Sequence, residues 1–255
     1  MLRNLLLACI TILFIASCGS NETAAPKPVA ISAEEKTMDS ITAQIVKARA
    51  LQEKGSQAEA LAIAEAMIEK YPGQLDALSI KGEILKEQGK TAEALKVFEQ
   101  AYALQPRDKE SAYNLAYEYA DAKSPKALVL TDTLIKHDKT ETVARAWYVK
   151  ATYYLNIGNE KEALRYYDSA SLADHNFLSA YLDKGQLLFK QKKYEAALKT
   201  FAIGQKFGPA EAEFYFWVAK TQEALGHKAD AKANYERAFA LNKSLTEAKE
   251  AAERL

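Results

Sequence analysis

The chain has 255 residues, 49% of them apolar and 27% charged, with 34 basic side chains against 34 acidic ones. A balanced charge lacks the basic footprint of a nucleic-acid binder, and two cysteines argue against a disulfide framework or a structural zinc site. Only 10 Gly and 6 Pro argue against a loop-rich sandwich or a disordered chain, so the composition points to helices around a sizeable core.

The N-terminus reads as a processing signal. Arg3 is the only charge before the apolar run Leu5 to Ile15, which is followed by the small residues Ala16 and Ser17, the layout of a secretory signal. The run is too short for the roughly 20 residues that a membrane-spanning helix needs. Ile15-Ala16-Ser17-Cys18 resembles the bacterial lipobox. That resemblance implies cleavage after Ser17 and a diacylglyceryl thioether on Cys18, usually with an N-acyl chain, and several acyl chains hold a protein stably at a membrane. The alternative is a cleaved secretory signal with an incidental Cys18. Cys9 leaves with the signal, so the mature chain has neither an internal disulfide nor a free thiol for catalysis. Gly19 after the Cys is similar to outer-membrane lipoproteins, which implies a lipid anchor in the bacterial cell envelope, at the outer membrane. Residues 18–40 then form the lipidated Cys and a flexible tether containing Pro26 and Pro28.

From residue 41 one unit recurs. Ala60, Ala94, Ala127, Ala163, Ala197 and Ala231 are separated by 34, 33, 36, 34 and 34 residues. Four residues on stand Phe98, Tyr167, Phe201 and Tyr235, with Ala64 and Thr131 as exceptions, and Pro72, Pro106 and Pro209 close three of the units. The fourth unit adds Trp147, Ala151 and Tyr154, with Lys150 where Leu is usual. This register resembles the 34-residue tetratricopeptide repeat. The resemblance implies an all-α, right-handed α-solenoid of about six helix-turn-helix units, at 41–74, 75–108, 109–143, 144–177, 178–211 and 212–245, with a C-terminal cap helix at 246–255.

The residue types suit that pattern. Position 8 of each unit (Ala48, Gly82, Ala116, Ala151, Gly185, Ala219) is small where another helix must cross closely. Position 15 carries Gly55, Gly89, Gly158 and Gly226, where the first helix stops and reverses. Repeat 3 departs twice: Ser124-Pro125 shortens its inter-helix turn, and His137 to Val143 add residues before repeat 4, a place for the array to bend. At the end, Ser244 with Glu247 reads as a capping box, followed by an apolar face of Leu245, Ala248, Ala252 and Leu255, as terminal repeats require.

Signatures of chemistry are missing. No phosphate-binding glycine loop, dinucleotide fingerprint, H-E-x-x-H or C-x-x-C occurs. His137, His175 and His227 fall in turns and are expected to face solvent, and Lys190, Lys192 and Lys193 read as a wet turn. The chain is expected to be no enzyme and to need no metal, cofactor or nucleic acid.

What the resemblance implies instead is a scaffold with a protein or peptide ligand in a concave groove, lined by positions 2, 5, 9, 12 and 13 of the first helices. In repeats 1 and 2 these are mainly polar. In the later repeats they give Tyr113, Tyr117, Tyr148, Leu155, Leu182, Phe189 and Phe216, interleaved with Arg145, Asn156, Gln186, Lys190 and Lys220, and about half of each aromatic side chain is expected to be open. Aromatic side chains with neighbouring Arg have the composition of interface anchors; the competing reading packs the same rings against the adjacent repeat. Lipoproteins of similar size and repeat number serve outer-membrane β-barrel assembly, type IV pilus secretins or peptidoglycan hydrolases, and components of nutrient-uptake or motility complexes stay equally open.

Overall fold

The computed structural model describes residues 33–137 and 142–255. The expected signal, Cys18 and residues 138–141 of the repeat 3 insertion lie outside the described residues. The chain divides into two units, residues 1–40 and 41–255, and in the first of them residues 33–40 are helical.

Every described element is a helix. α1 (Ala33–Glu53) and α2 (Gln57–Lys70) form the first pair, α3 (Leu75–Glu87) and α4 (Thr91–Leu104) the second, and α5 (Lys109–Asp121) and α6 (Lys126–His137) the third. α7 (Thr142–Asn156) with α8 (Glu160–Ala173), α9 (Leu178–Lys190) with α10 (Tyr194–Phe207), and α11 (Ala212–Ala224) with α12 (Lys228–Leu241) complete the pairs before α13 (Thr246–Arg254). α1 begins eight residues inside the span expected to be tether. No Gly or Pro interrupts the sequence between Pro28 and Gly55, so nothing stops the helix from extending N-terminally.

The six inter-helix turns share one hydrogen-bond scheme, in which the second residue past the turn donates back across five residues. The bonds run from the amides of Ser56, Lys90, Ser124, Asn159, Lys193 and His227 to the carbonyls of Leu51, Leu85, Tyr119, Tyr154, Leu188 and Gln222, at 2.7–2.9 Å, the Schellman closure of a helix end. It requires a left-handed residue at position 15, and the four expected glycines adopt φ of 74° to 82°. In repeats 3 and 5 the same conformation falls on Lys123 (φ 55°) and Lys192 (φ 59°), so the turn is imposed there against the preference of an L side chain.

Inside each pair, position 8 meets position 24. A β-carbon at Gly82 would lie 2.6 Å from Phe98 Cζ, and one at Gly185 would lie 2.6 Å from Phe201 Cδ1 and Cζ. The neighbour that keeps position 8 small is therefore an aromatic ring of the second helix, not its backbone. Where position 8 is Ala, position 24 is Ala64, Thr131, Tyr167 or Tyr235, and all of these are buried.

A second device at position 7 ties repeats 2, 4 and 5 to the preceding second helix. Lys81 pairs with Glu65 at 2.8 Å, Lys184 with Asp168, and Lys150 with Asp132. Lys150, the residue that breaks the repeat pattern, is only 7% exposed. Its ammonium lies 5.2 Å from the Trp147 ring centroid and 5.4 Å from that of Tyr166, so two rings and Asp132 replace the hydration it loses.

Repeat 3 absorbs its missing residue without altering the Schellman turn. The first turn of α6 tightens instead, with amides of Ala127 and Leu128 donating to Ser124 and Pro125 carbonyls three residues back at 3.1 and 3.0 Å. Ala127 thereby reaches the same buried place as its counterparts, at 0% exposure. Beyond it α5 and α7 pack directly on each other through small residues such as Ala116 and Ala120, which share a cluster with Val149 and Tyr153. Among the described elements this close packing of two first helices is particular to α5 and α7; α9 and α11 approach only marginally.

α13 covers the last repeat with Ala248, Ala251 and Ala252, packed on Phe216 and Tyr235. The expected capping box does not form: Leu245 occupies the N-cap, and the Ser244 hydroxyl turns back to donate to Asn242 Oδ1 at 2.7 Å. The shorter loop route satisfies Ser244 locally before the helix begins.

Candidate first-helix interaction face

The groove residues sit where successive first helices meet, and side chains about one repeat apart in sequence join there. Arg49 pairs with Glu83, and Gln52 donates to Glu83 and Glu87, each at 3.2 Å. Lys86 bridges Glu118 at 2.7 Å and Asp121 at 2.9 Å. Arg145 grips Glu110 with both terminal nitrogens, at 2.6 and 2.7 Å, and its guanidinium lies 3.7 Å from the Tyr113 ring centroid. The Tyr148 hydroxyl donates to Asp183 Oδ2 at 2.5 Å. Asn156 donates to the Ala120 carbonyl at 3.1 Å.

The aromatic residues are less open than the sequence suggested. Tyr113, Tyr117, Tyr148 and Phe189 are partly buried, and Phe216 is 8% exposed. Their neighbours explain it: Tyr148 lies 5.8 Å from Tyr167 and 5.3 Å from Phe177. Phe189 meets Tyr194 at 5.2 Å and Trp217 at 5.6 Å. Phe216 is roofed by α13 and contacts Trp217 and Tyr235, each at 5.9 Å, so it belongs to the core of the last repeat. Leu155 and Leu182 pack partly against neighbouring clusters. Gln186 is partly buried, and Lys220 pairs with Glu247 at 3.0 Å while lying over Phe216.

Position-based reasoning missed the acids. Asp183, at position 6, and Glu118, at position 10, are outside the five positions taken to line the groove, yet both join the network across the first helices. Burial pushes the Asp183 carboxyl above its ordinary range, against the pull of the Tyr148 hydrogen bond. Burial likewise raises Glu118, opposed by Lys86. It also raises Tyr148, and the adjacent Asp183 charge adds to the rise. Two clefts lie away from this face. One, of about 380 Å³, is lined by Tyr102, Arg107, Leu134 and His137. The other, of about 350 Å³, is lined by Leu172, Ile203 and Phe207. All three histidines are exposed, as expected, and His175 stacks on Phe207 at 5.6 Å.

A clamp for a free C-terminal carboxylate, known in repeats of the resembled type, would need Lys and Asn at the places of Ser79 and Glu83, Asn at Asn114, and Lys and Arg at Arg145 and Val149. Ser79 and Val149 are buried, Glu83 carries the wrong sign, and Arg145 is already engaged by Glu110. Peptides ending in a free acid are therefore expected to bind no better than their amidated forms in fluorescence anisotropy. Micromolar binding that vanished on amidation would contradict this.

Family models described as tetratricopeptide repeat match residues 81–127 and 148–212, and 212–245. The first two segments break after Ala127, where repeat 3 departs from the common spacing. Superkiller complex protein 3 of Homo sapiens is 28% identical over 142 residues, 54% of this chain and 9% of that protein. Hsp70-Hsp90 organizing protein 3 of Arabidopsis thaliana is 26% identical over 128 residues, 50% of this chain and 22% of that protein. The chain thus spans less than a quarter of the length of either relative. Among solved structures, a tetratricopeptide repeat protein from Parabacteroides merdae superposes with a TM-score of 0.63 at 18% identity, covering 82% of both chains. PilW, a type IV pilus biogenesis factor, gives 0.63 at 18% identity over 81% of this chain and 95% of that one. At these identities the likeness is one of fold.

Proposed function

The chain belongs to the tetratricopeptide-repeat family, and we propose that it is a scaffold, not an enzyme, which holds a protein or peptide partner on its first-helix face and is anchored through lipid on Cys18 in the bacterial cell envelope, at the outer membrane. The observation that carries the binding reading is the face itself: tyrosines, an arginine and several acids are fixed by contacts between successive repeats, so the surface is organised before a partner arrives. Family membership supports the same reading, since stacked repeats present extended inner surfaces. A role in pilus biogenesis is the second reading, supported by the fold shared with PilW. An enzyme subunit is the remaining alternative.

Alanine at Tyr148 or Phe189 would remove two ring contacts each, whereas Tyr117 has one ring neighbour, Tyr113 at 6.4 Å, with Lys86 over its face at 4.5 Å, so Tyr117 and Gln186 are the cleaner probes. Photo-crosslinking in intact cells from a benzoylphenylalanine at Gln186 is expected to capture a discrete partner, and Tyr117→Ala to weaken that partner's binding by about 1 to 3 kcal/mol with little change in thermal stability. Capture from an outer-face position such as Leu172, with none from Gln186, would move the binding surface elsewhere.

A further inference from the structure

Between α3 and α9 the first-helix face carries more acid than base. Arg49 answers Glu83, and Arg145 answers Glu110. Lys86 alone must serve both Glu118 and Asp121. Glu87 receives only side-chain amides, from Gln52 and Gln57. Asp183 has only the Tyr148 hydroxyl as a side-chain hydrogen-bond partner, and no ion pair with it is found among the described residues. Glu118 adds a second sign of the imbalance. Its side chain is 4% exposed, and its Oε2 has no hydrogen-bond partner among the described residues, so a buried acceptor on this face is left without a donor.

The aromatic walls fit the same chemistry. Tyr117 feels the charges of both Asp121 and Asp183, with the Lys86 ammonium over its ring at 4.5 Å, and the Tyr148 hydroxyl reaches Asp183. The protein already fills sites of this kind with its own cations: Glu110 and the Tyr113 ring enclose the Arg145 guanidinium, and Glu118, Asp121 and the Tyr117 ring hold the Lys86 ammonium. Asp183 with Tyr148 supplies an acid and a ring, and no described basic side chain pairs with that acid. A guanidinium suits such a place because it stacks on a ring and donates to a carboxylate at the same time.

We propose that the partner presents a basic segment to this face, with one arginine or lysine side chain directed to Asp183 beside Tyr148. This rests on the first-helix face being the binding surface. The opposite polarity is disfavoured by the same residues, because an acidic segment would meet Glu87, Asp121 and Asp183, of which only Asp121 is paired with a described basic side chain, Lys86.

The test uses the purified chain and fluorescein-labelled peptides alternating glycine with arginine, lysine, glutamine or glutamate. The arginine peptide is expected to bind tightest and the glutamate peptide not at all. Asp183→Asn should weaken the arginine peptide about 5- to 10-fold, while Glu236→Gln, which removes an exposed charge from α12, should leave it unchanged. Thermal unfolding of both variants checks that the fold is kept. Equal losses from Asp183→Asn and Glu236→Gln would mean diffuse attraction and overturn the proposal, as would arginine binding no stronger than glutamine. Capture of a partner from Gln186 through a neutral or acidic segment would leave the groove standing and remove only its basic occupant. Absence of any capture from Gln186 would remove the groove itself.

Discussion

Cys18→Ala is expected to abolish labelling by a fatty-acid analogue and to move the chain from the membrane fraction to the soluble one. The effect should be all or none, because the mature chain offers only this thiol and each buried methylene contributes about 0.8 kcal/mol to membrane affinity. Two or three long acyl chains then hold effectively without exchange, whereas the protein without them has no comparable attachment in this reading. Among the described residues no helix is long and apolar enough to cross a membrane. A folded control is available, since the repeats begin more than twenty residues beyond Cys18 and circular dichroism should be unchanged. Labelling that persisted in the variant, or a chain that stayed with the membranes after a carbonate wash, would sink the lipid anchor.

The repeat architecture was legible because it depends on local spacing. Gly55, Gly89, Gly158 and Gly226 mark turns that only a left-handed residue can make, and the small residues of position 8 mark contacts within a pair. Both are short-range requirements, so a single sequence carries them. The turns at Lys123 and Lys192 show where the signal fades: the neighbouring repeats force a conformation that the residue type does not advertise. The early start of α1 and the unformed capping box at Ser244 are errors of boundary, where a helix end is decided by competition among nearby hydrogen-bond partners.

The first-helix network was legible only in part. Arg145, Tyr148 and Asn156, each bonded to a neighbouring repeat, were singled out by their positions in the unit. Their partners were not, since the contacts of Tyr148 with Asp183 and of Arg145 with Glu110 each span 35 residues and depend on how far one repeat is rotated against the next. The openness of the rings fails for the same reason. Whether an aromatic at position 5 faces solvent or its neighbour follows from the residues one repeat away, as Phe216 shows under α13. The position 7 lysines could have been found: Lys81, Lys150 and Lys184 each have an acid 16 or 18 residues earlier, a recurrence visible once the register is drawn.

The register itself can be tested at the tighter of its two position 8 glycines, where Gly185→Leu is expected to cost about 3 kcal/mol or more, at the upper end of overpacking effects. A β-carbon there would already lie 2.6 Å from two ring atoms of Phe201 and closer still to Cε1. Phe201 is 0% exposed and stacks on Trp217 at 5.9 Å, so the ring has nowhere to retreat, and leucine adds three more carbons along the same direction. For a chain of this size such a loss lowers the melting temperature by roughly 6 to 12 °C. Gly82→Leu should cost less, because its neighbour Phe98 retains 3% exposure. The decisive measurement is the double variant. Phe201→Ala alone should cost about 3 to 5 kcal/mol through the cavity it leaves, but combined with Gly185→Leu the new side chain enters the space of the deleted ring. The pair should therefore lose about 1 to 3 kcal/mol less than the sum of the single variants. Strict additivity in thermal or urea unfolding would mean that Gly185 and Phe201 do not face each other, and the assignment of positions 8 and 24 throughout the array would fall with them.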